Sequence, residues 1–448
     1  MKRPFCACEG PESTHDWHPW RLLTCLGCKL VTYCSERCRK SDFGAHRLSC
    51  INVLTSPHWE PNWWTVKRNH RVHSDGNLLG FVHKRYLWGN VPALDVLKLS
   101  ENEGREYGED LSLMFAASGD LRHVFKTIAL LPSSYTKTLN VTVNDHDFFV
   151  VGRNIVLLLI AFASRDMAEE RKKVAKKRKR KPKMSKEIKN AQEEVVDCMI
   201  HYWYSAFLRQ SDIDLLQHKI RPLIQEVCDN IVHELPEKVI AHRWTFAACS
   251  LRVSLAKGSW SQLLSFVDVP PGDFWDLSRF RHLRTLNSLR QDSFDWFMMC
   301  LPPSYRISRY TFRAKGLLLP FAYPCAEFKV PNPVFFRTPD FWPIRDDPDP
   351  LFGWPSEEVF AMNTAPATSD IYGKICLLVK ETLDAFYTRL WHSTANIGDQ
   401  GWLGIERALT ALAPLLRPPS VNPHATLITL FMTAVTEKRT EQDQRDIV

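Results

Sequence analysis

No stretch of this 448-residue chain reaches the roughly 18 to 20 uninterrupted apolar residues that a membrane-crossing helix requires. The longest apolar run, Ile155 to Ala163, follows Arg153 and Asn154 directly and reads as a buried element of a folded domain. The opening residues, MKRPFCACEG, lack the apolar core of a signal peptide, so a soluble, intracellular protein with no membrane partner is expected. No repeat of 20 to 50 residues is evident, and neither G-x-S-x-G, H-E-x-x-H nor a phosphate-cradling P-loop occurs. The common signatures of hydrolases, metalloproteases and nucleotide triphosphatases are therefore missing.

A net excess of positive charge is also absent from most of the chain. The formal net charge is +8, but residues 171–189 hold twelve Lys or Arg against one acid, Glu187, leaving 46 basic and 49 acidic residues elsewhere. So dense a run of like charge carries little apolar surface to bury, and it reads as a disordered, solvated insertion or a frayed helix extension spanning residues 166–192. Within it Lys176 to Lys183, KKRKRKPK, resembles a nuclear localisation signal, and the same charge suits weak, sequence-independent contact with nucleic acid. The rival explanation is a solubilising surface insertion.

Cysteine is concentrated at one end. Seven of the thirteen lie in the first fifty residues, and six metal-type ligands there are spaced Cys25-x2-Cys28-x5-Cys34-x3-Cys38-x7-His46-x3-Cys50. Ligands two or three residues apart can turn inward on one knuckle to occupy neighbouring corners of a tetrahedron, which is the geometry of a structural zinc site. Six ligands exceed one zinc and fall short of two, so Cys6 and Cys8 are expected to complete eight. An extended Cys6-Ala7-Cys8 would aim its thiolates to opposite sides, and a turn at Ala7 is needed to bring them together. His15 and His18 are spaced as a second possible pair, with Cys8 plus one of them as the alternative to Cys6 plus Cys8. The other reading of such a cluster is a disulfide framework, which a reducing compartment disfavours. The remaining cysteines, Cys198, Cys228, Cys249, Cys300, Cys325 and Cys376, are scattered and read mostly as small buried hydrophobes.

The match through Cys25, Cys28, Tyr33-Cys34, Cys38, Asp42-Phe43, His46 and Cys50 resembles the MYND-type zinc finger. That resemblance implies a cross-braced module over residues 1–52 holding two structural zinc ions, one by Cys25, Cys28, His46 and Cys50, the other by the first pair with Cys34 and Cys38. It also implies binding of short proline-rich peptides from partner proteins, often in transcriptional regulation. Phe43 stands where the family usually has Trp, and Cys6-x-Cys8 departs from the usual two-residue spacing and lies farther from the third ligand. MYND fingers also occur in SET-type lysine methyltransferases, but the Asn-His-Ser-Cys signature of those enzymes is not present.

Behind the finger the pattern becomes mixed α/β. Leu111 to Ala117 reads as a buried strand running into the turn Ser118-Gly119-Asp120; Leu121, Val124, Phe125, Ile128 and Leu131 then recur at helical spacing, with Asp120 as N-cap. A second strand, Leu139 to Asp145, and a second apolar helix to about Ala163 come next. Strand, turn, helix, strand, helix is the opening of a Rossmann-like sheet, expected to fill residues 53–165 and to continue, mostly as helices, through 193–448. Residues 212–256 read as further helices, 325–357 as a long ordered loop, and 370–391 and 403–415 as closing helices, while Ala425 to Val435 fits strand or helix.

The segments SGDLRHVFKTIALLP, VNDHDFFVVGRNIVLLLIAF, CMIHYWYSAFL, RAKGLLLPF, ANIGDQGWLG and VNPHATLITLF look like a domain of unknown function found behind MYND fingers in fungal proteins. They are also similar to the N-terminal part of dynein-arm preassembly factors. In such a sheet a ligand would lie beyond Ser118, Gly119 and Asp120 with Asn144 and Asp145, the last 26 residues after Gly119. A methyltransferase-like nucleoside pocket suits this placement; a pyrophosphate does not, since one glycine replaces G-x-G-x-x-G and Asp120 is negative. The alternative for Gly119, Asp120, Arg122, Asn144, Asp145, Arg153 and Asn154 is turn chemistry and an internal ion pair, and for Asp120 with Arg122 or Arg153 it is the favoured one. The overall expectation is a zinc-binding adaptor, with an enzyme or pseudoenzyme as its rival.

Overall fold

The structure, a computed structural model, describes residues 6–8, 23–61, 87–177, 182–285, 298–337, 349–362, 368–392 and 395–401, with single positions 64 and 295. The expected helix at 403–415, the apolar run Ala425–Val435, His15, His18 and part of the 325–357 loop lie outside the described residues. The chain to Gly401 groups as one unit and Trp402–Val448 as another.

The first elements are a small ribbon of β1 (Leu23–Thr24) and β2 (Thr32–Tyr33), antiparallel, followed by α1 (Glu36–Cys50). Ser35 starts that helix by accepting from the Cys38 amide at 3.2 Å, which satisfies one of its unpaired first-turn donors.

The main sheet holds five strands in the order β3 (Leu111–Ala116), β4 (Leu139–Asp145), β9 (Ala395–Gly401), β7 (Cys249–Ala256) and β6 (Val239–Phe246). The first four are mutually parallel, and β6 pairs antiparallel with β7 as a hairpin. Between β3 and β4 runs α2 (Arg122–Ala129), whose Val124, Phe125 and Ile128 are buried as their helical spacing demands. The opening strand–helix–strand unit is thus parallel, with β3 at one end of the sheet. A two-stranded pair of β5 (Phe207–Leu208) and β8 (Val330–Pro331) stands apart from it.

After β4 the chain enters α3 (Phe148–Lys177), whose run Ile155–Phe162 is fully buried and packs along β4, β9, β7 and β6. α4 (Pro182–Tyr204) packs against α3, while α5 (Pro303–Lys315) and α6 (Ile371–His392) complete the helical surroundings. The basic insertion, expected as disordered over 166–192, is helical on both flanks, to Lys177 and from Pro182. Lys, Arg, Ala and Glu are strong helix formers, so once the buried apolar run has nucleated α3 they extend it.

Residues 212–256 are a correction. Ile213, Leu216, Ile220, Ile224 and Val227 do line helical segments, but these stop at Asn230, and residues 239–256 form the β6–β7 hairpin. Trp244 and Phe246 are buried while Arg243 and Thr245 are exposed, a period of two that marks a strand.

Leu87 and Trp88 tie the segment before β3 into the core. Trp88 Nε1 donates to the Trp203 carbonyl at 2.9 Å, and Trp354 Nε1 donates to Tyr204 Oη at 3.1 Å. Beside them sits a buried polar knot. Asp120 is ion-paired with Arg122 and accepts the Gly89 amide at 2.8 Å; the fully buried Arg153 bonds the Leu87 carbonyl and, at 2.9 Å, Asn154 Oδ1. Burial by itself would raise the Asp120 pKa, but Arg122 and Arg153 outweigh it and hold the carboxyl below its ordinary range. Asp120→Ala would leave two buried guanidinium groups without their anion, so urea denaturation at pH 7 is expected to show a loss of about 3–5 kcal/mol. Because the folded-state pKa is the depressed one, this contribution is present above the unfolded pKa and fades as pH falls through the folded pKa; the wild-type and variant curves should converge in acid.

Candidate metal centre

Two knuckles and one helix bring the cysteines of the N-terminal segment together. Cys25 and Cys28 flank a turn after β1, Cys34 follows β2, and Cys38, His46 and Cys50 project from α1, where i to i+4 spacing sets His46 and Cys50 on one face. Tyr33 Oη donates to Asp42 Oδ2 at 2.8 Å and packs edge-on to His46, which locks the ribbon to the helix.

The ligand atoms of Cys25, Cys28, His46 and Cys50 all lie within 4.8 Å of one another, and so do those of Cys6, Cys34 and Cys38. Individual edges are 3.7 Å between the Cys25 and Cys50 sulfurs, 3.5 and 3.3 Å from His46 Nε2 to Cys28 and Cys25, and 3.4 Å between Cys34 and Cys38. A tetrahedral zinc with ordinary bond lengths imposes edges of about 3.8 Å between sulfurs and about 3.6 Å from sulfur to nitrogen. Each observed edge is within about half an ångström of that value, and every cysteine is a free thiol, far beyond disulfide length. Both clusters can hold a metal ion, and both are compatible with zinc. The Cys25, Cys28, His46 and Cys50 set is the one the MYND resemblance groups together, while the other set holds Cys6, Cys34 and Cys38 without Cys8.

Cys8, expected as the fourth corner of the set with Cys6, Cys34 and Cys38, lies beside Cys38. The backbone bends at Ala7, whose amide donates to the Thr32 carbonyl at 2.9 Å, so Cys6 and Cys8 are both buried on the finger side. The Cys8 thiol hydrogen-bonds with Cys38 and Ser41, although it falls outside the set whose atoms all lie within 4.8 Å.

Gly27 and Ser35 are two residues that ligand spacing does not reveal. A Cβ on Gly27 would meet the Cys50 sulfur at 2.8 Å, so the knuckle closes only around a residue without one. Amide donors also aim at the sulfurs, Leu30 N to Cys28 and Cys34 N to Cys6, each at 3.4 Å. Burial pushes the Cys28 and Cys34 thiols up to about 12, and burial lowers the His46 pKa, keeping that imidazole neutral and able to ligate. A dication entering these clusters must therefore displace protons.

The second sequence-expected site is brought together, but its groups are spent on one another. Gly119, at φ +57°, donates its amide to Asp145 Oδ2 at 2.8 Å, and its carbonyl accepts from Asn154 Nδ2 at 2.8 Å. Asp145 Oδ1 accepts the Asp147 amide at 2.9 Å. Asp120 is not the N-cap of α2, which is Leu121; its Oδ1 accepts the amide of Arg122, the first helical residue, at 3.3 Å, and its carboxylate belongs to the buried knot described above. Turn hydrogen bonds account for Gly119 and Asp145, and the internal ion pair favoured for Asp120 with Arg122 accounts for that pair.

With that geometry in place, comparison with known proteins adds one region. Residues 87–177 match a domain of unknown function, DUF4470. A segment of 86 residues is 35% identical to dynein axonemal assembly factor 3 of Danio rerio, over 19% of this chain and 18% of that protein. The chain thus aligns with less than a fifth of the length of that relative. No solved structure matches.

Titration of the metal-stripped chain with zinc is expected to saturate at two ions and to release protons, with apparent affinity falling as pH falls. Cys28→Ser should remove one ion while leaving the Cys6, Cys34 and Cys38 cluster loaded. Saturation at a single ion in the wild type would disprove the two-cluster assignment.

Proposed function

We propose that this chain is a zinc-binding adaptor whose N-terminal finger, of the MYND type, recognises proline-rich peptides of partner proteins. Cys6, Cys8, Cys34 and Cys38 hold one structural zinc, and Cys25, Cys28, His46 and Cys50 the other. The single observation that carries the reading is the convergence of the second set on near-tetrahedral edges with every corner supplied by protein, which leaves no position for a reacting water.

The finger also offers apolar surface of the kind a peptide uses. Phe43 is 59% exposed on α1, and Leu26, Leu48 and Ile51 are more exposed still. Exposed large apolar groups, where they form one patch, mark interaction sites. Leu30, Val31 and Leu54, by contrast, are buried, so a partner has only the outer surface available.

The basic run at 171–189 would add nuclear delivery or weak nucleic-acid contact; that part of the reading rests on sequence alone. A Rossmann-like, methyltransferase-like ligand pocket draws support from the parallel β3–α2–β4 unit, but the internally satisfied Gly119 and Asp145 turn weighs against it, and the adaptor is preferred.

Zinc-loaded chain assayed against a library of proline-rich peptides is expected to retain a subset. Phe43→Ala should weaken those peptides by about 10- to 30-fold, the loss typical of a central aromatic anchor, with zinc content unchanged. Equal retention by the variant would remove the finger's outer surface as the binding site.

A further inference from the structure

The finger does not stand free of the larger domain. Its buried side is one continuous apolar cluster in which Leu30, Val31, Tyr33, Leu54 and the cysteines join Met298 and Ile307, with Trp59, Leu301, Phe321 and Ala322 packed around them. Three polar links cross the same boundary. Arg306 Nη1 donates to the Ser56 carbonyl at 2.8 Å while its guanidinium lies 5.6 Å from the Trp59 ring centre. The Lys29 carbonyl accepts from the Ser369 amide at 2.7 Å and from Thr368 Oγ1 at 3.2 Å.

Lys29 is the decisive residue. It sits between the ligand Cys28 and Leu30 in the first knuckle and is held at φ +56°, a conformation that non-glycine residues adopt rarely. Its amide bonds back to the Cys25 carbonyl at 2.9 Å, so the direction of its own carbonyl is fixed by closure of the Cys25–Cys28 knuckle. That closure is what a metal ion enforces.

On the receiving side, Ser369 precedes Asp370, a buried carboxylate with three donors from three parts of the fold. Ser308 of α5 donates at 2.9 Å, the Phe321 amide at 2.7 Å, and the Gly373 amide at the start of α6 at 3.1 Å. One residue beyond the knuckle's hydrogen bond, therefore, a single side chain ties α5, the 316–322 loop and α6 together.

We propose that the finger is a metal-dependent clamp on the larger domain: loading of the Cys25, Cys28, His46 and Cys50 cluster sets the Lys29 carbonyl, which orders the Thr368–Gly373 segment and, through Asp370, the packing of α5 on α6. The inference rests on the metal reading above but not on any partner peptide. Metal state at one end of the chain is thereby transmitted to segments about 250 to 340 residues away in sequence, without a change at the sheet.

Hydrogen exchange followed by mass spectrometry on the full chain, with zinc bound and after chelation, tests this. Chelation is expected to speed exchange at least tenfold in peptides covering 303–322 and 368–373, while β4 and β7 keep their protection. A loss of protection confined to residues 6–55 would overturn the clamp. Ile307→Asp, which breaks the interface and replaces no ligand, should reproduce the faster exchange at 368–373 with full zinc content; unchanged exchange there would equally overturn it. Absence of bound zinc from the untreated chain would instead overturn the metal reading itself, and the clamp with it.

Discussion

Convergence of thiolates and one imidazole in the N-terminal segment is the constraint on which the finger depends, because the segment has almost no apolar core of its own. Among its buried apolar side chains, the four cysteines Cys6, Cys8, Cys28 and Cys38 equal in number the larger aliphatic and aromatic groups, namely Leu30, Val31, Tyr33 and Leu54. An element this small buries too little surface to offset its conformational entropy and needs a metal, a disulfide or a neighbour. Here two of those are in place: clusters with metal-site geometry, and a face completed by Met298 and Ile307. The cysteines are therefore as much core residues as ligands. Removing the ion would leave Cys28 and Cys34 as thiols that burial keeps protonated.

The segment matching DUF4470, residues 87–177, has a comparable but purely protein-made constraint. It begins at Leu87, whose carbonyl takes the fully buried Arg153 from α3, and Gly89 donates to Asp120 between β3 and α2. A Cβ on Gly89 would run into the Arg122 guanidinium, so the close approach of this strap to the knot depends on a glycine. A buried ion pair of this kind contributes little net stability over an apolar equivalent, but it accepts only one arrangement of its donors. The likeness to the zebrafish protein carries no chemistry from one protein to the other.

How much was legible in the sequence divides along the range of the interactions. Cys25 to Cys50 could be read because their spacing is local and the chemistry demands it; the strand at Leu139 and the helix at Ile155 could be read because burial imposes a period. The grouping of Cys6 and Cys8 depended on a backbone bend at Ala7 that no spacing rule specifies. The β6–β7 hairpin was missed because its apolar positions were counted as a continuation of the preceding helices, and its turn carries Ala247 at φ +52° where Gly or Asn would have given a signal. β9, ANIGDQG, has poor strand propensity throughout, yet it lies between two parallel neighbours with Ile397 buried. Tertiary context overrides propensity there. The bond between Lys29 and Ser369 joins residues 340 apart and leaves no local trace in either stretch.

On the proposed adaptor reading, those long-range links bear on how the finger meets a partner. A finger on a flexible tether samples many orientations and binds its peptide independently of the domain it is attached to; a finger whose inner face is part of the domain core presents its outer face at one fixed angle. Phe43 and Leu48 on α1 are then displayed relative to α5 and α6, and a partner reaching past the finger meets the larger domain in a defined register. Such an arrangement lowers the entropic cost of engaging both surfaces at once, since their separation is set before binding. On the proposed reading it also gives the metal a second consequence: loss of the Cys25, Cys28, His46 and Cys50 cluster would alter not only the peptide surface but its placement, so a partner that touches both elements would sense metal occupancy more steeply than one that touches the finger alone.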